Sequence, residues 1–225
     1  MLFIISTPIG NSKDISLRSL QLLEESKYII CEDSRRIKNL LKIHNINYND
    51  KTFIINNEYN EKKQLNKIIN LLKTDEDVCL VTDSGTPLIS DPGFLIVREC
   101  IKQSIPFTSI PGPSAAINAL VLSGFPSDSF IFLGFVPKTS AKKKKLFSSI
   151  AKDKTTIFYE SPYRIRKTLD VLSETLPSRL ICVCREMTKK FEQVIRGTPN
   201  EVLEKIHKNP KGEFVLLIAP EDYTI

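Results

Sequence analysis

The sequence predicts an α/β fold built from two α/β domains, and three observations carry that expectation. Short β-rich runs alternate with amphipathic segments of helical length, the pattern of a parallel sheet wound by helical crossovers. That rhythm breaks at Pro111-Gly112-Pro113, where two prolines fix the backbone and remove donors while the glycine permits a turn. A second series of strand-like runs then follows, so the chain divides into an N-terminal domain, 1–112, and a C-terminal domain, 113–225. The cleft between two such domains is a favoured place for a ligand.

In the first domain the strand candidates are Leu2 to Ser6, Tyr28 to Cys31, Thr52 to Ile55, Val78 to Thr82 and Phe107 to Ile110. Between the third and fourth, Leu65, Ile68, Ile69 and Leu72 fall at i, i+3, i+4 and i+7, which places four apolar groups on one helical face. In the second domain the candidates are Phe130 to Phe135, Thr155 to Tyr159, Leu180 to Cys184 and Phe214 to Ile218. Ile165, Leu169, Leu172 and Leu176 mark a helix among them, stopped by Pro177.

Composition narrows the function classes. A chain of 225 residues, 41% hydrophobic and 26% charged, has apolar side chains enough for one large core or two modest ones. No apolar run approaches the ~18 residues needed to cross a bilayer. The opening Met1-Leu2-Phe3-Ile4-Ile5 is too short for a signal peptide and lacks its basic flank, so a cytoplasmic protein without a membrane role is expected. Four of the five cysteines (Cys31, Cys79, Cys182, Cys184) sit in apolar strand-like runs, where a thiol behaves as a small hydrophobe; no disulfide is expected. His44 and His207 stand far apart without a ligand-spaced cysteine or carboxylate pair, and Cys182-Val183-Cys184 is not a Cys-x-x-Cys chelate, so no metal ligand is expected.

The net charge of +6 is unevenly placed. Residues 1–112 carry 14 basic and 14 acidic side chains, whereas 113–225 carry 18 against 12. A basic half suits a polyanion such as RNA, through counterion release, and equally a solvated surface. Between Lys138 and Lys154 lie seven lysines against one acid, Asp153. On a helix, Lys142, Lys143, Lys144 and Lys145 spread around the circumference, a distribution that fits phosphate contact or a solvated charged helix.

Three loops at strand ends carry the chemistry. Ser6-Thr7-Pro8-Ile9-Gly10-Asn11 follows the first strand and precedes a helix capped by Asp14 or Ser16; such loops turn free backbone N–H groups towards ligands. Asp83-Ser84-Gly85-Thr86-Pro87-Leu88-Ile89-Ser90-Asp91-Pro92-Gly93 follows the fourth strand, with an acid at its root, a glycine for close approach and two rigid proline turns. Asp83 is placed to accept hydrogen bonds from hydroxyls or an ammonium, whereas Asp91 reads as the N-cap of the next helix. Ile110-Pro111-Gly112-Pro113-Ser114-Ala115-Ala116 ends the fifth strand, with Ser114 placed to cap a helix. In the second domain Tyr159-Glu160-Ser161-Pro162 and Cys184-Arg185-Glu186-Met187-Thr188 also bring ionisable groups to strand ends.

Taken in order, these segments, with Cys31-Glu32-Asp33-Ser34-Arg35 and Lys211-Gly212-Glu213, resemble the signatures of the ribosomal RNA small subunit methyltransferase I family, a branch of the tetrapyrrole methylase superfamily. The resemblance spans nearly the whole chain. It implies a homodimer of two-domain α/β subunits that binds S-adenosyl-L-methionine in the interdomain cleft. It also implies 2′-O-methylation of a cytidine in the decoding region of small-subunit (16S) rRNA, within the 30S particle. By position the cofactor should touch Thr7, Pro8, Asp83, Gly85, Thr86, Ser114 and Ala115, with Tyr159, Glu186, Gly212 and Glu213 from the second domain. The family usually continues beyond the Lys-Gly-Glu strand into a helical extension, whereas this chain stops at Ile225.

A ribose hydroxyl is a poor nucleophile while protonated, and a nearby carboxylate can take its proton. Asp33, Glu32 and Glu160 are the candidates, each at or just beyond a strand end; Asp33 ranks first, against the alternative of a local pair with Arg35 or Arg36. Two rival functions share the fold: a tetrapyrrole methylase, and a noncatalytic RNA-binding assembly protein that binds the cofactor without transferring its methyl group.

Overall fold

The computed structural model describes residues 1–224. It divides into two compact units, Met1–Ser114 and the chain from Ala115 onwards. Among the described residues no helix is long and apolar enough to cross a membrane.

The first unit alternates five strands with four helices: β1 (Leu2–Ile5), α1 (Leu17–Glu25), β2 (Tyr28–Cys31), α2 (Ser34–Ile43), β3 (Thr52–Ile55), α3 (Glu61–Leu72), β4 (Val78–Val81), α4 (Phe94–Lys102) and β5 (Phe107–Ile110). All pairings are parallel, in the order β3-β2-β4-β1-β5. Both faces of the sheet are covered, which is why β4 reads Val-Cys-Leu-Val without a polar break. Leu2, Ile4, Ile30, Ile54, Val78 and Leu80 pack with Ile68, Ile69 and Leu72 of α3 and Ile96 of α4. The alternate residues Ile5, Ile29, Cys31, Cys79 and Val81 pack with Leu23 of α1 and Ile37 and Leu41 of α2. Ser16 caps α1, its side chain accepting from Ser19 N–H at 3.1 Å.

The second unit opens with α5 (Ala115–Ser123) and continues through β6 (Phe130–Phe135), α6 (Ser140–Ser148), β7 (Thr155–Glu160), α7 (Ile165–Thr175), β8 (Ile181–Arg185), β9 (Gln193–Gly197), α8 (Pro199–Lys205) and β10 (Phe214–Ile218). Its sheet runs β6-β7-β10-β8-β9. Only the β6–β7 pair is parallel; the other three pairs are antiparallel. Phe147 of α6, Leu169 and Leu172 of α7 and Val202 of α8 pack on Phe158, Val183 and Leu216 to form its core. The strand expected from Leu180 begins at Ile181, and β9 had no counterpart among the expected strands. It is an edge strand of sequence Gln-Val-Ile-Arg-Gly with little of its surface buried, so apolar periodicity carries almost no signal there.

One lysine of the run 142–145 belongs to this core. Lys143 stands one turn before Phe147 on the inward line of α6 and is buried. Its Nζ donates to Thr168 Oγ1 and lies 3.7 Å from Glu160 Oε2. A side chain so enclosed cannot contact RNA phosphates, and the expected role of Lys143 is corrected accordingly. Lys142, Lys144 and Lys145 are exposed, Lys144 in a 2.6 Å surface pair with Glu174.

Candidate active site

β1 and β4 are neighbours, yet the helices that follow them leave to opposite faces, α1 on the Leu23 side and α4 on the Ile96 side. In an open α/β sheet such a switch point forms a crevice at the carboxyl ends of the strands, where ligands bind. The loops singled out in the sequence meet there. Thr7 N–H donates to Gly85 O at 2.8 Å and Gly85 N–H to Thr7 O at 3.1 Å. Ser6 Oγ donates to Thr86 Oγ1 at 3.1 Å, which donates to Pro113 O at 2.9 Å. Position 112 must be small: a Cβ on Gly112 would lie 2.9 Å from Ser6 Cβ. Gly85, at φ +85°, takes a backbone conformation that other residues rarely adopt.

Thr7 and Thr86 have internal duties. Thr7 is 3% exposed and its hydroxyl donates to Thr82 O at 3.1 Å, so it braces the loop rather than offering a side chain to a ligand. Pro8, Asp83, Thr86, Ser114 and Ala115 retain exposed surface.

A polar row crosses the sheet just beyond its apolar rows. Ile54, Ile30, Leu80 and Ile4 stand opposite one another in register. Two residues on, strand alternation brings Asn56, Glu32, Thr82 and Ser6 to the same face, the one covered by α3 and α4. Thr82 Oγ1 donates to Glu32 Oε1, and Asp83 N–H donates to the same oxygen at 3.3 Å. Asp91 hydrogen-bonds the Thr82 side chain as well.

Asp91 is therefore not the cap of α4. Gly93 occupies that position, with φ +124°, and its N–H donates to Glu61 Oε1 in the first turn of α3 at 2.9 Å. Leu88 and Ser90 both take left-handed backbone conformations, φ 72° and 67°, in the loop that carries Asp91 to the Thr82 side chain. Burial and the neighbouring Glu32 push its carboxyl up to about 7. Asp83 is also raised, by burial and then by Glu32, against the opposing pull of Arg36, whose Nε lies 3.1 Å from Oδ2.

Asp33 serves α2 instead of the chemistry. It is the N-cap, accepting from Arg35 N–H at 2.9 Å, and its Oδ2 pairs with Arg35 Nη2 at 2.6 Å. These hydrogen bonds from Arg35 hold its carboxyl at about 2, too weak a base to draw a proton from a hydroxyl near neutral pH. Its first rank as general base is corrected on that ground. Glu160 is corrected on another: its side chain is 0% exposed, paired with Lys143 and, at 2.7 Å, with Arg164 Nη2, so no substrate reaches it.

In the second unit Tyr159, Glu186, Gly212 and Glu213 lie along one edge of the sheet, set by the registers Val215↔Tyr159 and Phe214↔Arg185. Glu186 N–H donates to Glu213 O at 3.1 Å, and Glu213 N–H returns to Glu186 Oε1 at 3.0 Å. Lys189 Nζ ties both carboxylates, at 2.9 and 2.7 Å. Gly212, at φ +99°, presses on Glu186: an added Cβ would fall 2.5 Å from its Cδ. The Tyr159 ring packs edge-on against Phe132 and Phe135, with centroids 4.9 and 5.6 Å away.

Sequence reasoning missed Asn56, Thr82 and the true place of Asp91. A signal existed for the first two: each follows a buried Ile or Leu by two residues, so alternation carries it to the same face at the strand's end.

A family model described as Tetrapyrrole (Corrin/Porphyrin) Methylases matches residues 1–203. A Hydrogenobaculum sp. protein named ribosomal RNA small subunit methyltransferase I is 46% identical over 225 residues, spanning 98% of this chain and 96% of the relative. A Thermotoga maritima protein of the same name is 38% identical over 222 residues, 98% and 99% of the two chains. The crystal structure of the methyltransferase CobJ superposes with a TM-score of 0.70 at 17% identity, over 97% of this chain and 93% of that one, a likeness of fold alone. The chain thus belongs to the tetrapyrrole methylase family, and within it to the ribosomal RNA small subunit methyltransferase I branch.

Proposed function

We propose that this chain transfers a methyl group from S-adenosylmethionine to the 2′-hydroxyl of a cytidine in the decoding region of 16S rRNA, acting on the 30S particle as a cytoplasmic homodimer. The observation that carries the reading is the 46% identity, over nearly both full lengths, with a relative named for methylating small-subunit ribosomal RNA. The convergence of three loops at the switch point of the first sheet supports a small-molecule site. The homodimer is carried over from the family resemblance, and sedimentation at a single species of monomer mass would contradict it.

Members of the tetrapyrrole methylase family use S-adenosylmethionine as methyl donor. The donor set here fits it. Glu32 and Asp83 crowd one half-buried edge, and their mutual repulsion is relieved by a ligand carrying an ammonium and a sulfonium. Pro8, Asp83, Gly85, Thr86, Ser114 and Ala115 would hold it from the first unit's strand-end loops and their continuation, and Tyr159, Glu186, Gly212 and Glu213 from the edge of the second sheet. When bound, the cofactor supplies a methyl group on an already activated leaving group. What remains for the chain's own residues is to align the acceptor oxygen opposite the departing sulfur and to receive its proton. Lys142, Lys144 and Lys145 are proposed to meet rRNA phosphates.

Asp83→Ala is expected to weaken cofactor binding about tenfold to a hundredfold, the loss of one charge-assisted hydrogen bond, about 1.5–3 kcal/mol. The fold should survive, because Asp83 lies at the sheet edge and its ion pair with Arg36 is partly exposed. Calorimetric titration measures this directly, and wild-type affinity in the variant contradicts the placement. The reaction itself is tested by incubating labelled cofactor with 30S particles and with naked 16S rRNA: label should enter the particle's RNA.

A further inference from the structure

The hydroxyl of Thr82 has one proton and faces two carboxyl groups. It donates to Glu32 Oε1, an oxygen that also accepts from Asp83 N–H, and the Asp91 carboxyl hydrogen-bonds the same side chain. That hydrogen bond favours the ionised form of Asp91, against the larger opposing effects of burial and Glu32. The other acids at this edge are engaged: Asp33 with Arg35, Asp83 with Arg36. Asp91 keeps exposed surface and stands on the loop between β4 and α4, beside the crevice.

A second, independent observation marks the same row as a place for a ligand. Asn56 is 1% exposed, and neither Oδ1 nor Nδ2 of its amide has a partner among the described residues. Its backbone N–H donates to Cys31 O, which carries the β2–β3 pairing one step further and sets the Asn56 side chain next to Glu32 in the polar row. A buried amide left without partners is expensive unless something polar completes it.

Resting on the methyl-transfer reading above, we propose that Asp91 is the catalytic base: it takes the proton of the acceptor ribose hydroxyl, while Thr82 and the Glu61–Gly93 hydrogen bond hold its loop in place. In the step, a lone pair of the hydroxyl oxygen forms the new O–CH3 bond. The S–CH3 bond breaks with its electron pair going to sulfur, and the O–H proton passes to an Asp91 oxygen. The groups around Asp91 suit this task. Glu32 from the end of β2, Asp83 from the end of β4 and Glu58 from the loop before α3 all bear negative charge towards it. Glu61 of α3 is occupied by Gly93 N–H and Arg36 of α2 by Asp83. With its carboxyl near 7, Asp91 is basic enough to accept a proton and still largely ionised in mildly alkaline solution.

The sign of the stability effect follows. A carboxyl raised in the folded state binds more protons there than in the unfolded chain between about pH 4 and 7, so it lowers stability as pH rises through that window. Asp91→Asn, which keeps shape and removes charge, should therefore melt no lower than wild type at pH 8. It should lower kcat by about 10²–10⁴-fold and abolish the acid limb of the pH–rate profile near 7, while calorimetric affinity for S-adenosylmethionine stays at the wild-type value. A second measurement stands apart from activity: in the cofactor-free wild-type protein, the 13C resonance of the Asp91 carboxyl should titrate near neutrality. Wild-type kcat in the variant, loss of cofactor affinity instead of kcat, or a resonance titrating in the usual carboxylate range each overturns the assignment. The functional reading fails separately, and takes this one with it, if the wild-type protein methylates no 30S RNA at all.

Discussion

Glu160→Ala is expected to destabilise the second unit by about 3–5 kcal/mol, the loss seen when one member of a buried ion pair is removed. Glu160 Oε2 accepts from Thr168 Oγ1 at 2.6 Å and lies 3.7 Å from Lys143 Nζ; Oε1 accepts from Ser161 N–H and pairs with Arg164, both at 2.7 Å. Without the carboxylate, the ammonium of Lys143 keeps only the Thr168 hydroxyl in an environment that already disfavours its charge. Chemical denaturation of the purified protein measures the loss. Lys143→Met combined with Glu160→Gln should lose less than Glu160→Ala alone, because it removes the stranded charge and keeps acceptors for Ser161 and Arg164. Wild-type stability in Glu160→Ala together with abolished methylation would return Glu160 to the chemistry.

Replacing Lys142, Lys144 and Lys145 together by glutamine should weaken binding to 30S particles and flatten its salt dependence. Each phosphate no longer neutralised lowers the log–log slope by about 0.7–0.9, so three of them amount to about 2–3. Cofactor affinity should not move, since lysines at phosphates act through counterion release and none of these three belongs to the loops at the sheet edge. The contrast with Lys143→Gln is diagnostic: that single change should reduce stability, while the triple variant leaves it near wild type, as exposed charges do. Salt titrations of binding for the two variants separate these effects. An unchanged slope in the triple variant means that the three lysines are a solvated face.

The central strands of the first unit were legible because a sheet buried on both faces demands continuous apolar runs, and Leu2–Ile5, Tyr28–Cys31 and Val78–Val81 are such runs. The loops after β1 and β4 were legible for the same reason, as each begins where an apolar run stops, and the loop after β5 by its Pro111-Gly112-Pro113. The mixed pairing of the second sheet was not, since β7, β8 and β10 are buried runs that look the same in either direction. Lys143 was hidden by its neighbours. Four lysines in a row give no hint which one faces inward, and its partner Glu160 comes from a different element. Asp91 was misread because Asp-Pro-Gly before an apolar run has the residues of a helix start; the left-handed backbone at Leu88 and Ser90 in the same loop leaves no mark in residue type. Asp33 shows the reverse case, where a strand-end acid that looked catalytic is a helix cap with an arginine two residues away.

The central claim is methyl transfer to a ribose hydroxyl of small-subunit RNA. The most direct measurement is to treat unmodified 30S particles with the purified protein and isotopically labelled S-adenosylmethionine, digest the RNA to nucleosides, and identify the labelled product by mass spectrometry. Label in 2′-O-methylcytidine, absent when the wild-type protein is omitted, is the predicted result. Cofactor binding with no label in the RNA, or label on a base carbon or nitrogen rather than the ribose, would contradict it.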